Sequence, residues 1–157
     1  MIKVQGLVKS YGDVQAVRGV TFGAADGHVV WQKNIATETK GKRPTWGFAG
    51  SPLVIGGTVF VNVGAHGTAL DKKTGKILWS TGRDSASYSS IVPHVRDGRQ
   101  ELVMFAHKAL VALDPKSGSV FWSYPWETKH DTNVADPILI GDKVFISSGY
   151  DRGCALL

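Results

Sequence analysis

The chain has 157 residues, 43% of them hydrophobic and 20% charged, with 19 glycines, five tryptophans and a net charge of +5. That balance excludes a disordered or collagen-like chain and leans toward a turn-rich all-β domain. The Lys and Arg residues are spread through turns and show no aromatic–basic interleaving, so the charge reads as a solvated surface and no nucleic-acid partner is expected.

The first segment reads Met1-Ile2-Lys3-Val4-Gln5-Gly6-Leu7-Val8-Lys9-Ser10-Tyr11-Gly12, followed by Val14-Gln15-Ala16-Val17-Arg18-Gly19-Val20-Thr21-Phe22. It lacks the apolar core of a signal peptide, and no stretch of the chain is long enough to span a membrane, so the chain is expected to be soluble and not exported. Residues 1–22 resemble the opening of an ABC-transporter ATPase, in which Tyr11 would stack on adenine. That family needs a Gly-x-x-x-x-Gly-Lys-Ser/Thr loop to hold phosphates on its backbone N–H groups. Instead, Gly23-Ala24-Ala25-Asp26-Gly27 leads into a different pattern. No nucleotide hydrolysis is expected, and Tyr11 reads as a strand aromatic. The division falls between 1–22 and 23–157, either as a fusion or as an assembly artefact.

From there the chain repeats. Asp26-Gly27-His28-Val29-Val30-Trp31 places glycine four residues before a tryptophan, on an outer strand predicted at about 28–34. Stronger copies are Ala69-Leu70-Asp71-Lys72-Lys73-Thr74-Gly75-Lys76-Ile77-Leu78-Trp79 and Ala112-Leu113-Asp114-Pro115-Lys116-Ser117-Gly118-Ser119-Val120-Phe121-Trp122. The interval of about 45 residues suits one four-stranded propeller blade. Between the tryptophans lie paired runs, Ser51–Val61 and Asp136–Ile146, with a middle version from Ser90 to Phe105. Two whole blades are predicted at about 47–81 and 87–124, and a third from about 132.

Gly56-Gly57, Asp97-Gly98 and Gly141-Asp142 sit between β-branched or apolar runs, where hairpins need positive φ. Asp71 and Asp114 are predicted to cap the turns at Gly75 and Gly118 by accepting backbone N–H bonds. Trp31, Trp79 and Trp122 then serve the repeat by packing between blades, and each buried indole N–H needs an acceptor. Cys154, the single cysteine, excludes an internal disulfide and a thiolate metal cluster, and in Cys154-Ala155-Leu156-Leu157 it is expected as a small buried hydrophobe.

The repeat Ala-x-Asp-x-x-Thr-Gly-x-x-x-Trp resembles the quinoprotein (PQQ)-type β-propeller family over about residues 24–157. The resemblance implies an all-β partial propeller of about three four-stranded antiparallel blades, incomplete at both ends. Family members are usually periplasmic or secreted, and include quinone-dependent alcohol dehydrogenases and a non-enzymatic outer-membrane assembly lipoprotein. The enzymes hold pyrroloquinoline quinone and calcium beside an adjacent-cysteine disulfide, which this chain lacks. Quinone and calcium are therefore expected only in a complete parent, and the chain is expected to hold no catalytic residue, cofactor or metal of its own.

Trp46, Tyr88, His130, Asp131 and Asn133 are the residues placed for a channel-mouth site. Asp131 and Asn133 offer oxygen ligands to a hard cation, but two are too few; turn capping and packing are the favoured roles. Five histidines show no paired zinc spacing. The expected function is a non-catalytic binding or scaffold module that meets a protein partner, or itself, through open blade edges. The alternatives are a truncated quinone-dependent alcohol dehydrogenase and a mis-joined, inactive ATPase start.

Overall fold

The computed structural model describes residues 28–130 and 132–157. Strands β1 (Leu53–Ile55), β2 (Thr58–Val61), β3 (Thr68–Asp71) and β4 (Ile77–Ser80) form one antiparallel sheet in chain order. The plan recurs with β5 (Val92–Arg96), β6 (Arg99–Phe105), β7 (Ala109–Leu113) and β8 (Val120–Pro125). A third sheet holds β9 (Ile138–Ile140), β10 (Lys143–Ser148) and β11 (Gly153–Leu156), with β10 central. These are the three blades of a partial propeller. The first hairpin of each turns where the glycine pairs stand. Gly56 and Gly141 have φ of 56° and 61°, and Asp97 and Gly98 have 51° and 75°, the left-handed values of tight two-residue turns.

Alternation along the inner strands builds the contacts between blades. Leu102 and Met104 of β6 enter a cluster with Phe60, Ala69, Ile91, Val111 and Leu113. Val103 and Phe105 enter another with Leu110, Ala112, Val144 and Ile146. Successive side chains of a strand point to opposite faces, so the second blade is buried on both. That explains why Leu102–Phe105 reads as an unbroken apolar run. Fully burying a side chain of this size stabilises by about 1.5–3 kcal/mol, which makes these two clusters the main bond between blades.

The tryptophans add a directional bond. Trp31 Nε1 donates to the Lys72 carbonyl at 2.8 Å and Trp79 Nε1 to that of Pro115 at 3.0 Å, the residues that follow Asp71 and Asp114. Gly75, with φ 68°, lies against the Trp31 ring so closely that a Cβ there would stand 2.7 Å from Cδ2. Asp71 Oδ1 accepts the N–H groups of Lys73 and Thr74 at 3.0 and 2.8 Å, and Asp114 Oδ1 accepts that of Lys116 at 2.9 Å. Both aspartates thus cap the turns as their spacing predicts. Trp122 differs, since its N–H donates within its own blade to Glu101 Oε2 at 3.3 Å.

Two features depart from the sequence reading. The outer strand expected at about 28–34 is reduced to a bridge residue at Val29. Asn34 instead caps a short helix, α1 (Ile35–Thr39), its Oδ1 accepting the Thr37 N–H at 3.1 Å. Ile35 and Ala36 pack on Val59, Val61, Val63 and Leu70, the face of the first blade turned away from the second. Cys154 is exposed, not buried, because β11 is an edge strand among the described residues. Arg152 is exposed and stacks its guanidinium 4.0 Å from the centroid of the Trp126 ring. No helix among the described residues is long and apolar enough to cross a membrane.

Candidate functional site

In each of the first two blades the turn between the first two strands shares an end with the Asp-capped turn, because neighbouring strands are antiparallel. The opposite end holds the β2–β3 and β6–β7 loops and the connections between blades. It is there that three of the channel-mouth candidates, Trp46, Tyr88 and Asn133, meet. The Trp46 N–H donates to Tyr88 Oη at 3.3 Å, and the Tyr88 N–H donates to the Asn133 carbonyl at 3.2 Å. Ser87 Oγ donates to the same carbonyl at 2.8 Å.

Asn133 is fully buried and its side chain is committed. Oδ1 accepts from Ser148 Oγ at 2.9 Å, which in turn accepts from Trp126 Nε1 at 2.9 Å. Nδ2 reaches the carbonyls of Trp126 and His107 at 3.4 and 3.5 Å. The amide therefore clasps the connection after the second blade to the third blade and to the β6–β7 loop. Buried amides must be satisfied in this way or pay for desolvation. His130 is separate from this clasp, its ring meeting Tyr150 edge-on at 4.8 Å. Trp46 is 78% exposed and Tyr150 is exposed too, so two aromatics stand in solvent at this end. Asp131 lies outside the described residues.

The same end contains a groove of about 380 Å³ lined by His66, Asp84, Ser85, His107 and Lys108 among others. Burial pushes the His66 imidazole below its ordinary pKa, and the Asp84 carboxylate opposes that shift. Lys108 pairs with Glu127 at 3.5 Å. Linear spacing hides this grouping, because His66 and His107 come from matching loops of different blades. Among the described residues no group of three or more His, Cys, Asp or Glu could hold a metal ion. What the arrangement offers chemically is one neutral imidazole beside a carboxylate in an open groove, with solvent-facing aromatics nearby.

The family described as outer membrane protein assembly factor BamB matches residues 7–156. The chain belongs to that family. Its PQQ-type repeats are the three blades described above. No curated protein matches the chain. Among solved structures, BamB from Moraxella catarrhalis is similar with a TM-score of 0.55 and 20% identity, over 79% of this chain and 36% of that one. The quinohemoprotein alcohol dehydrogenase from Comamonas testosteroni is similar with a TM-score of 0.50 and 21% identity, over 71% of this chain and 18% of that one. At such identities the likeness is one of fold, and this chain spans well under two thirds of either protein. The family match begins at residue 7, so it takes in most of the 1–22 segment. Nothing in the comparisons supports the ATPase resemblance, and Tyr11 lies outside the described residues.

Proposed function

We propose that the chain is a non-catalytic propeller segment that binds protein, in the manner of a scaffold, including further copies of itself. The observation that carries this reading is the commitment of the channel-end polar groups to structure. Tyr88 Oη, the Asn133 amide and Ser148 Oγ all bond to other parts of the chain, while Trp46 and Tyr150 face solvent. Exposed aromatic rings suit protein contacts, where they bring large apolar area with few rotamers to order. The family is described as an outer membrane protein assembly factor, which is the same class of role.

The residues here do not fit a quinone with calcium. Cys154 is alone on an edge strand, and the Asn133 oxygen already accepts from Ser148. Edge strand β11 leaves backbone donors and acceptors unpaired along one side among the described residues, a template for adding a strand from another chain. Size exclusion with light scattering tests the reading. A mass that rises above 16.9 kDa with concentration is expected. A monomer that persists at every concentration counts against self-binding.

A further inference from the structure

The second blade buries a carboxylate that its neighbour lacks. Ala69 pairs with Phe60 and Ala112 with Val103, so Glu101 holds the place that Thr58 holds in the first blade. Its side chain is 0% exposed. A charge so placed needs partners. Oε1 lies 2.8 Å from His94 Nδ1, and Oε2 accepts from Trp122 Nε1 at 3.3 Å. Arg96 Nε and Arg99 stand at 3.6 and 3.7 Å and add positive charge. The buried Arg96 Nε makes no hydrogen bond, which leaves His94 as the partner bonded to Oε1. On its other side His94 Nε2 lies 3.0 Å from the carbonyl of Gly141, in the β9–β10 turn of the third blade. Arg96 crosses beside it, donating to the Asp142 carbonyl at 3.1 Å.

Both ring nitrogens of His94 thus face acceptors. A carbonyl accepts only, and an ionised carboxylate accepts only. The indole N–H and two guanidiniums surround Glu101 with donors and positive charge. A neutral imidazole carries one N–H and makes one of these bonds, whereas an imidazolium makes both. We propose that His94 is a proton-operated latch between the second and third blades. Protonated, it ties Glu101 to the Gly141 carbonyl. Deprotonated, it gives up one of the two bonds, and the first hairpin of the third blade loosens. The charged residues on the elements packed against the ring are Arg96 on its own strand, Arg99 and Glu101 on β6, and Asp142 and Lys143, next to Gly141 in sequence, on the third blade. The sign follows from the donor count: the latch is closed at low pH and opens as pH rises.

The test uses the full chain. Side-chain nitrogen–proton correlation spectra are recorded as the pH is raised from about 5 to about 9, spanning the range in which imidazoles change charge, and His94→Gln assigns the resonance by its loss. Both His94 nitrogens are expected to carry protons at the acid end. On deprotonation, exchange protection of the Asp142 and Lys143 amides, corrected for intrinsic rates, is expected to fall about fivefold, the factor one ordinary hydrogen bond carries. In His94→Gln that pH response is absent. A ring that never carries both protons across this range, or a variant that keeps the native response, overturns the latch. The spectrum of the native protein decides the matter even if the variant does not fold.

Discussion

A Cβ on Gly118 would stand 2.6 Å from Cε3 of Trp79, a residue of the preceding blade whose indole N–H is bonded to Pro115 on the same turn. The ring of one blade and the bare backbone of the next therefore occupy one fitted contact. Trp79→Ala removes a half-buried indole and is expected to cost about 3 kcal/mol, the lower end for a large aromatic. Gly118→Ala is expected to cost about 1–3 kcal/mol, from its positive φ and from crowding. In the double variant the crowding has no ring to meet. Chemical denaturation of the four proteins should therefore give a coupling above about 0.5 kcal/mol. Strictly additive losses would remove the docking contact from the account.

Asp71 is held below the ordinary carboxyl pKa first by the Thr74 hydroxyl, then by the Thr74 and Lys73 N–H groups and the Lys73 charge. Its contribution is present above the unfolded value of about 3.9 and is lost as pH falls through the lowered native value. Thr74→Val removes the leading cause. Carboxyl titration by NMR should then show Asp71 moving up toward the ordinary value, and an unchanged titration would discount the hydroxyl bond of 2.8 Å.

His66 is lowered by burial, with Asp84 opposing. As pH drops below about 6.5 the unfolded chain takes up a proton that the native site resists, so stability falls from there down to the lowered native value. Asp84→Asn should lower the His66 titration further. A rise on that substitution would mean that the carboxylate does not act on this ring.

Asn133 and Tyr88 separate structural from incidental bonds. Asn133→Ala strips Ser148 Oγ of its acceptor inside the protein and should cost about 1–3 kcal/mol. Tyr88→Phe removes only the longer bond from the Trp46 N–H and should cost less than about 1 kcal/mol. Thermal melts of the two variants check the order, and a reversal would place the clasp at Tyr88.

Much of this architecture is legible in the residues themselves. The Asp-capped turns at Gly75 and Gly118 and the paired glycines of the hairpins are local, because glycine alone takes those φ values freely. The recurrence of Trp31 and Trp79 four residues after a glycine marks them as repeat positions, and both dock on the next turn, whereas Trp122, at the same offset, bonds within its own blade. The short α1 leaves no helical period to detect, since five residues make barely more than one turn and none is buried. The Asn133 clasp joins residues far apart in sequence and outside the repeat, so no spacing announces it. Glu101 was open to view as an acid heading the apolar run Leu102–Phe105, but only the register showed it buried beside His94 and Trp122. The exposure of Cys154 depends on which strand lies at the edge, which composition does not encode.

The proposed function makes this chain a structural, protein-binding piece of a propeller and not a quinone enzyme. The most direct test is a titration of the purified chain with pyrroloquinoline quinone and calcium together, followed by tryptophan fluorescence and quinone absorbance. The account predicts no saturable change and no alcohol oxidation above buffer. Saturable binding that is lost in Asn133→Ala or Asp131→Ala, both still folded, would contradict it.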